Sequence, residues 1–573
     1  MKKINASIIL LILSLLLLTS CQTGRELEQL QQLHEQYNID VDESKYVNDD
    51  DILDRGPVKG GILRLFTTEP DTLNPVLTKN MFNSDILSFI YEGMTRLDEN
   101  QKAVPVLADR WSVSADGLIW EFHIRDGVNW HDGESLTAYD VEFTIQTILN
   151  PAIESVYKPL LLNISTCAAV DSSTIRIALK KPNSFTPEMM DFPVLPKHQF
   201  VSMDVLTASS QLKPVGTGPY MFKSHTVDEN VILILNDHWW LFTEDEALKT
   251  EGMYLETIQG NIYKHAEDVM AAFQSGDVDV AGIAVNEYHK YKGRTDLTIK
   301  KYTSRDFEFI SFNLSDPVFS DVYARQAVSL AIDKNKIIGE LLPGEAEAAE
   351  LPVLPSSWLT QTEKASAVAA PDADTPEEVL ELGGWKKNQQ GYYKVIKGAR
   401  RYLNTELVVN SNNSIRVRAA QMVCEQLEEA GIKVKLVQLG WDELVGRINS
   451  GKYKMAFIGC RVPQIPDISY LYSSSYLPES SSTKELSNAR NISGYSDAEV
   501  NNDITSLFTE NGAYMRKNIF KVLKEKVISD CPYIGMYFMR DAMVYSKEIK
   551  GRMAPDTWNR FNDMTNWYKP EIY

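Results

Sequence analysis

Five cysteines in 573 residues, with no CxxC pair among them, leave nothing from which to build a structural zinc site or a dense disulfide framework. Histidine is sparse too: there are eight, scattered along the chain, and none forms a helical pair. The chain has no GxSxG, no HExxH and no cysteine in a recognisable catalytic pattern, so the usual hydrolase machinery is missing. It has no run of five basic residues, and 58 Lys and Arg stand against 78 Asp and Glu, for a net charge of −20. Such a chain repels phosphate backbones, which excludes nucleic acid as a partner. Past the first twenty residues, no segment is long and apolar enough to span a membrane.

What is present is ordinary globular composition, 44% hydrophobic and 24% charged. One core stops growing at roughly 250–300 residues, so two large lobes or more are expected. The N-terminus carries the most specific local signal. Lys2 and Lys3 precede an apolar run from Ile8 to Leu18, too short for a stable span. The run ends in Leu18-Thr19-Ser20-Cys21, which matches a bacterial lipobox. The expectation is a signal peptide over residues 1–20, with Cys21 acylated and leading a flexible tether over 21–57. The mature protein would then be exported and lipid-anchored on the extracytoplasmic face, in the cell membrane. The other reading is an ordinary signal peptide with an incidental cysteine. Leu27, Leu30 and Leu33 suggest a short helix within the tether, ahead of the acidic stretch Asp40 to Asp54. Cys167, Cys424, Cys460 and Cys531 remain. One or two disulfides among them are compatible with that compartment, and their pairing is not readable.

The stretch WEFHIRDGVNWHDGESLTAYDV, Trp120 to Val141, places a His beside an Asp and poses a choice between a chemical cluster and a structural corner. Trp120, Phe122 and Ile124 alternate with Glu121, His123 and Arg125, the period of a half-buried strand. Thr137 and Asp140 have capping-box spacing ahead of Val141, Phe143 and Ile145. His131-Asp132-Gly133 therefore reads as the turn between a strand and a helix.

Further along, TELVVN reads as a strand, Ser414 to Ala430 as a helix ending at Gly431, and IKVKLVQL as a second strand. That is a β-α-β unit, hence a parallel pair in an α/β lobe. Residues 321–338 show amphipathic helical spacing through Val328, Ala331 and Ile332. Residues 343–377, rich in Pro, Ala, Ser and Glu, read as an irregular excursion.

Seven segments, in order, resemble the family 5 solute-binding proteins of ABC importers, the peptide- and nickel-binding group. They are EPDTLNP (69–75), the long stretch from Tyr91 to Phe143, PVGTGPYMF (214–222), SGDVDVAG (275–282), RQAVSLAID (325–333), QLEEAGIKVKL and GKYKMAFIG (451–459). The resemblance implies an α/β, two-lobed periplasmic-binding-protein-like fold (type II) with an extra domain in the first lobe. It maps residues 58–78, 211–305 and 536–573 to the first lobe, 79–210 to the extra domain and 306–535 to the second lobe. Gly216, Gly218 and Pro219 then fall near a domain junction, where unusual backbone angles are useful. A phosphate-loop reading fails for want of the Lys-Ser/Thr of that motif.

The implied action is capture of a solute in the interlobe cleft by open-to-closed motion, with no covalent chemistry and no cofactor. The closed form is what a permease would recognise. Implied partners are a peptide or peptide-like solute, an ABC permease with its ATPase, and the membrane through the lipid anchor; a monomer is expected. Trp441 follows the last strand of the β-α-β unit, where peptide binders place a ligand-facing Trp; ordinary core packing is the other reading. Arg447 faces either a ligand carboxylate or solvent. The loop GCRVPQIPDISYLYSSSY (459–476) matches the one that supplies an Asp for a peptide's ammonium, but Val462 occupies that position. A buried ammonium without a carboxylate is costly. Either Asp467 reaches round, or the solute has no such amine. Cys460 and Arg461 stand in the same loop, and Arg461 has the fork geometry for an anion. Tyr470, Tyr472 and Tyr476 stack on a ligand or pack locally.

Two rival functions share this scaffold. One is a surface sensor, which a neighbouring permease and ATPase in the operon would argue against. The other is a binder of a non-peptide solute such as a nickel chelate, for which the scattered histidines offer little. No metal site of the protein's own is expected.

Overall fold

Leu63, Leu65 and Phe66 are buried in the first strand, Leu63 and Leu65 on one face of it and Phe66 on the other. In the computed structural model, the described residues are 56–201, 205, 212–242, 252–283, 287, 290–291, 293–360, 373–477 and 491–570. Residues 59–568 form one unit; the other, 1–58 with 569–573, is described only at 56–58, 569 and 570. The signal segment, Cys21 and the tether as far as residue 55 lie outside the described residues.

Eleven strands among the described residues share one sheet. In chain order they are β1 (Ile62–Thr68), β2 (Tyr220–Thr226), β3 (Asn230–Leu235), β4 (Thr257–Tyr263), β5 (Val280–Ile283), β6 (Leu297–Phe312), β7 (Ala346–Ala348), β8 (Asn404–Asn410), β9 (Lys433–Leu439), β10 (Met455–Arg461) and β11 (Tyr533–Ser546). Their spatial order is β9-β8-β10-β6-β11-β5-β1-β4-β3-β2, with β7 also on β11. β1 runs parallel to β4 and β5, and β8 runs parallel to β9 and β10. The β-α-β expectation holds: the helix Ser414–Glu429 joins β8 to β9, capped by the Asn413 side chain, which accepts from Arg416 N at 2.9 Å. Gly431 follows with a φ of +77°, left-handed as a helix stop requires.

The long strands β6 and β11 carry the chain across the sheet. Residues 297–303 of β6 pair with 540–546 of β11, and 307–311 pair with 533–538, with register shifts between Thr303 and Phe307 and between Glu308 and Phe309. On one side lie β5, β1, β4, β3 and β2; on the other lie β10, β8 and β9. The two halves of the sheet thus meet only at β6 and β11, next to an irregular stretch of backbone.

Residues 79–210 hold a separate four-stranded sheet of 108–113, 119–124, 174–179 and 164–169, in that order. Trp120, Phe122 and Ile124 are buried, as their alternation predicts. The helix Ala138–Leu149 begins where expected: Thr137 donates from N and Oγ1 to Asp140 Oδ2 at 2.8 and 2.9 Å. His131 is a corner. Its Nε2 meets Gly218 O at 2.9 Å, which requires a proton on Nε2, and its Nδ1 accepts from Gly216 N at 3.2 Å. Burial lowers its pKa and favours that neutral ring.

One expected helix is two. Residues 321–338 split into Val322–Leu330 and Lys334–Leu341. Asp333 interrupts the ladder because its side chain caps the second helix, accepting from Lys336 N at 2.9 Å, while its own N donates to Gln426 Oε1. In the excursion 343–377, β7 and the start of the helix Pro376–Leu382 are ordered elements, and residues 361–372 lie outside the described residues. Cys167, Cys424, Cys460 and Cys531 are all free thiols.

Candidate ligand-binding cavity

A cavity of about 1370 Å³ opens beside the crossing, the irregular stretch where β6 and β11 pass between the two halves of the sheet. Three stretches of chain build it. The first wall is the turn after the helix Met81–Leu87. There Gly216 and Gly218 allow the VGTGPY segment to press on Ile90: a Cβ at Gly216 would stand 1.8 Å from Ile90 O. Gly218 N donates to that same oxygen at 2.9 Å, and Tyr220 N to Phe89 O at 3.0 Å. The close approach holds Glu92 against two indoles. Trp240 Nε1 donates to Glu92 at 2.8 Å, Trp239 Nε1 at 3.3 Å and Thr217 Oγ1 at 2.8 Å. Burial still outweighs these donors and pushes the Glu92 carboxyl up to about 7. The Arg125 guanidinium lies 4.8 Å over the Trp240 ring, its Nε donating to Val106 O at 3.0 Å.

The second wall is the segment Thr557 to Asn566. Thr557 Oγ1 donates to Thr303 O at 2.7 Å, Arg560 pairs with Asp85, and Phe561 meets Phe89 edge-on at 5.1 Å. The floor is the crossing itself, with Tyr302, Ser304 and Arg305 from β6, Asp541 and Ala542 from β11, and Arg461 at the end of β10. Burial, then the like charge of Arg461, brings the Arg305 guanidinium down to about 10, so it stays charged at neutral pH. Burial pushes Asp191, another lining residue, up to about 6, and Asp541 above its usual range.

The sequence-derived candidates are placed unevenly. Arg461 lines the cavity and approaches Asp306 at 3.5 Å. Val462, 1% exposed, is packed in the core behind it. Cys460 is half-buried with Sγ 3.8 Å from Tyr470 OH, and burial pushes its thiol up to about 12. Asp467 does not line the cavity; its carboxylate accepts from Ser469 N at 2.7 Å, at the start of the short helix Ser469–Tyr472, and burial raises its pKa. Trp441 is the first residue of the helix Trp441–Asn449, 48% exposed and outside the lining. Arg447, in that helix's last turn, reaches Glu406 at 3.7 Å and Glu443 at 3.8 Å, also outside the lining. Tyr472 packs edge-on against Tyr533 at 5.3 Å.

Sequence reasoning missed Glu92, Trp239, Trp240, Arg305, Asp541 and Arg560. The Trp239-Trp240 pair is visible as a doublet of large aromatics in a chain with ten Trp. The charged residues carry no local signal.

Residues 102–482 match the family model described as bacterial extracellular solute-binding proteins, family 5 middle. The chain belongs to that family. Its members bind solutes for transport and are not enzymes. The chain is 24% identical over 507 residues to the oligopeptide-binding protein AppA of Bacillus subtilis, covering 86% of this chain and 89% of that one. It is 23% identical over 500 residues to the glutathione-binding protein GsiB of Pectobacterium atrosepticum, covering 86% and 91%. Among solved structures it is similar to NikZ of Campylobacter jejuni in complex with Ni(L-His), at 26% identity and a TM-score of 0.61, covering 90% and 100%. The unliganded open form of the murein tripeptide-binding protein MppA superposes with a TM-score of 0.74 at 19% identity, covering 90% of this chain and 98% of that one. The two-lobed α/β fold of the family is therefore the fold of this family 5 protein.

Proposed function

We propose that this family 5 protein is the lipid-anchored receptor of an ABC importer, capturing an oligopeptide or similar solute between its lobes and delivering it to the permease. The cavity carries this reading. At about 1370 Å³ it exceeds the roughly 300–1,000 Å³ of sites for drug-sized ligands, and its indoles and charged groups suit a solute with both apolar and polar parts. The chain's likeness to oligopeptide-binding relatives over 86% of its length supports the peptide class.

Residues 58–78, 211–305 and 536–573 act as the first lobe, 79–210 as its extra domain and 306–535 as the second lobe, hinged where β6 and β11 change register. A solute touching both lobes favours the closed form by its differential affinity. Arg461 is the ligand contact that the cavity supports among the candidates read from sequence. A nickel chelate is the second reading, favoured by the likeness to NikZ with Ni(L-His) bound.

Mass spectrometry of what co-purifies identifies the solute, and melting shifts with short peptides and with a nickel–histidine chelate measure its class. Peptides are expected to raise the melting point. No shift with any of them, or a solute released with altered bonds, overturns the reading. Palmitate labelling that persists in Cys21→Ser would overturn Cys21 as the acylation site.

A further inference from the structure

Arg305 sits inside the register break of β6, and Arg461 lies across from Asp306 at the end of β10. Both side chains line the cavity. Arg305 is held rigidly: its Nε donates to Val462 O at 2.8 Å, Val462 N donates back to Arg305 O at 2.8 Å, and its guanidinium stands 5.5 Å from the Trp558 ring centre. Among the described residues, the two terminal nitrogens of Arg305 make no hydrogen bond. Arg461 has only its 3.5 Å approach to Asp306. The buried Trp558 Nε1 is likewise without an acceptor.

Two guanidiniums thus gather at the crossing with donors unspent. Nearby carboxylates consume them only in part. Arg461 pairs with the half-exposed Asp306 at 3.5 Å, while Asp191 acts on Arg305 and Asp541 on Arg461 by charge without an ion pair. A planar fork held this way matches a carboxylate, which accepts two parallel N–H donors.

We propose that Arg305 and Arg461 form the subsite for a carboxylate of the solute, so that this protein selects solutes bearing a free anionic terminus. The inference rests on the solute-capture reading above and names the charge which that solute presents. It also makes the ligand a brace for the crossing. Arg305 is rooted in a strand shared by both halves of the sheet, Trp558 belongs to the first half's wall, and Arg461 ends a strand of the second half.

The probe is a mixed library of tri- to pentapeptides of Ala, Leu, Phe and Ser, prepared with free carboxyl termini and again as C-terminal amides. Calorimetry on the wild-type protein is expected to show about tenfold tighter binding of the free-acid library. Arg461→Gln, at an exposed side chain, is expected to erase that preference, bringing free-acid affinity down to that of the amides; Arg305→Lys keeps the charge, loses the fork and reduces the preference. Equal wild-type affinity for acids and amides overturns the carboxylate subsite and leaves solute capture standing. Equal loss of both libraries in the variants overturns it as well, because the arginines would then only shape the cavity. No binding of either library by the wild type overturns the peptide reading together with the subsite.

Discussion

The guanidinium of Arg516 lies 4.6 Å from the ring of Trp358, with Phe185 against it at 4.9 Å. Arg516 belongs to the helix Ala513–Asp530, yet only 8% of it is exposed, and its Nη1 donates to Ser184 O at 3.3 Å. Ser184 N donates to Phe508 O at 2.7 Å, and Gln101 Nε2 to Gln464 O at 2.8 Å. This is a second contact, away from the crossing, between residues 79–210 and residues 306–535. Arg516→Ala removes the stacked cation and leaves Glu188 buried without its strongest opposing charge. The expected loss, chiefly that of a desolvated cation–ring contact, is about 2 kcal/mol, read as a lower urea midpoint.

Glu188, 4% exposed, sets a pH dependence. Burial pushes its carboxyl up to about 7, against the opposing charges of Arg516 and Lys102. Between about pH 4.5 and 7 the unfolded chain gives up this proton while the native protein keeps it, so the native state binds more protons and stability falls as pH rises. The group's contribution is complete below about pH 4.5 and lost above about 7, with a size of up to roughly 3 kcal/mol. Glu188→Gln is expected to flatten this part of the curve, measured by chemical unfolding at pH 5 and pH 8. Glu92 contributes with the same sign.

A different kind of buried charge sits under β10. Arg416 binds Glu308 through Nε and Nη2, both at 2.6 Å, and donates through Nη1 to Asn410 at 2.6 Å. Glu308→Ala strands the guanidinium, and the expected cost is roughly 3–5 kcal/mol. A double variant with Arg416→Met should recover part of it, which a double-mutant cycle measures.

Gly216→Ala should abolish soluble expression. The added Cβ would meet Ile90 O at 1.8 Å, backbone against backbone, where no side chain can yield. Gly127→Ala, with nothing within 4 Å of its Cβ but a φ of +77°, is the comparison; strain alone there should cost about 1 kcal/mol.

Trp240→Ala is expected to weaken peptide binding by about tenfold, since it removes the surface on which Arg125 rests and a donor to Glu92. Calorimetry with the free-acid peptide library measures it. Trp441→Ala is the reference; an equal loss there would show that the ligand extends beyond the cavity lining.

Local patterns in the sequence were legible because the forces behind them are local. The alternation of Trp120, Phe122 and Ile124, the Thr137–Asp140 cap and the β-α-β unit all depend on neighbours within a few residues, and all stand in the structure. The helix expected over 321–338 failed where one polar side chain, Asp333, had two competing uses, as a helix residue or as a cap. Periodicity does not see that competition. The bond between the Asp467 carboxylate and Ser469 N is a turn contact of the same local kind.

What the sequence determined by itself is the class of chain: acidic, free of catalytic motifs, built from alternating strands and helices in a recognisable order. Only the tertiary structure decided the cavity. Asp85, Arg305, Arg461, Asp541 and Arg560 come together because β6 and β11 pair along most of their length, and that pairing is set by burial of both faces of the sheet. Burial of this kind rewards contacts hundreds of residues apart, and no window of neighbouring letters records them.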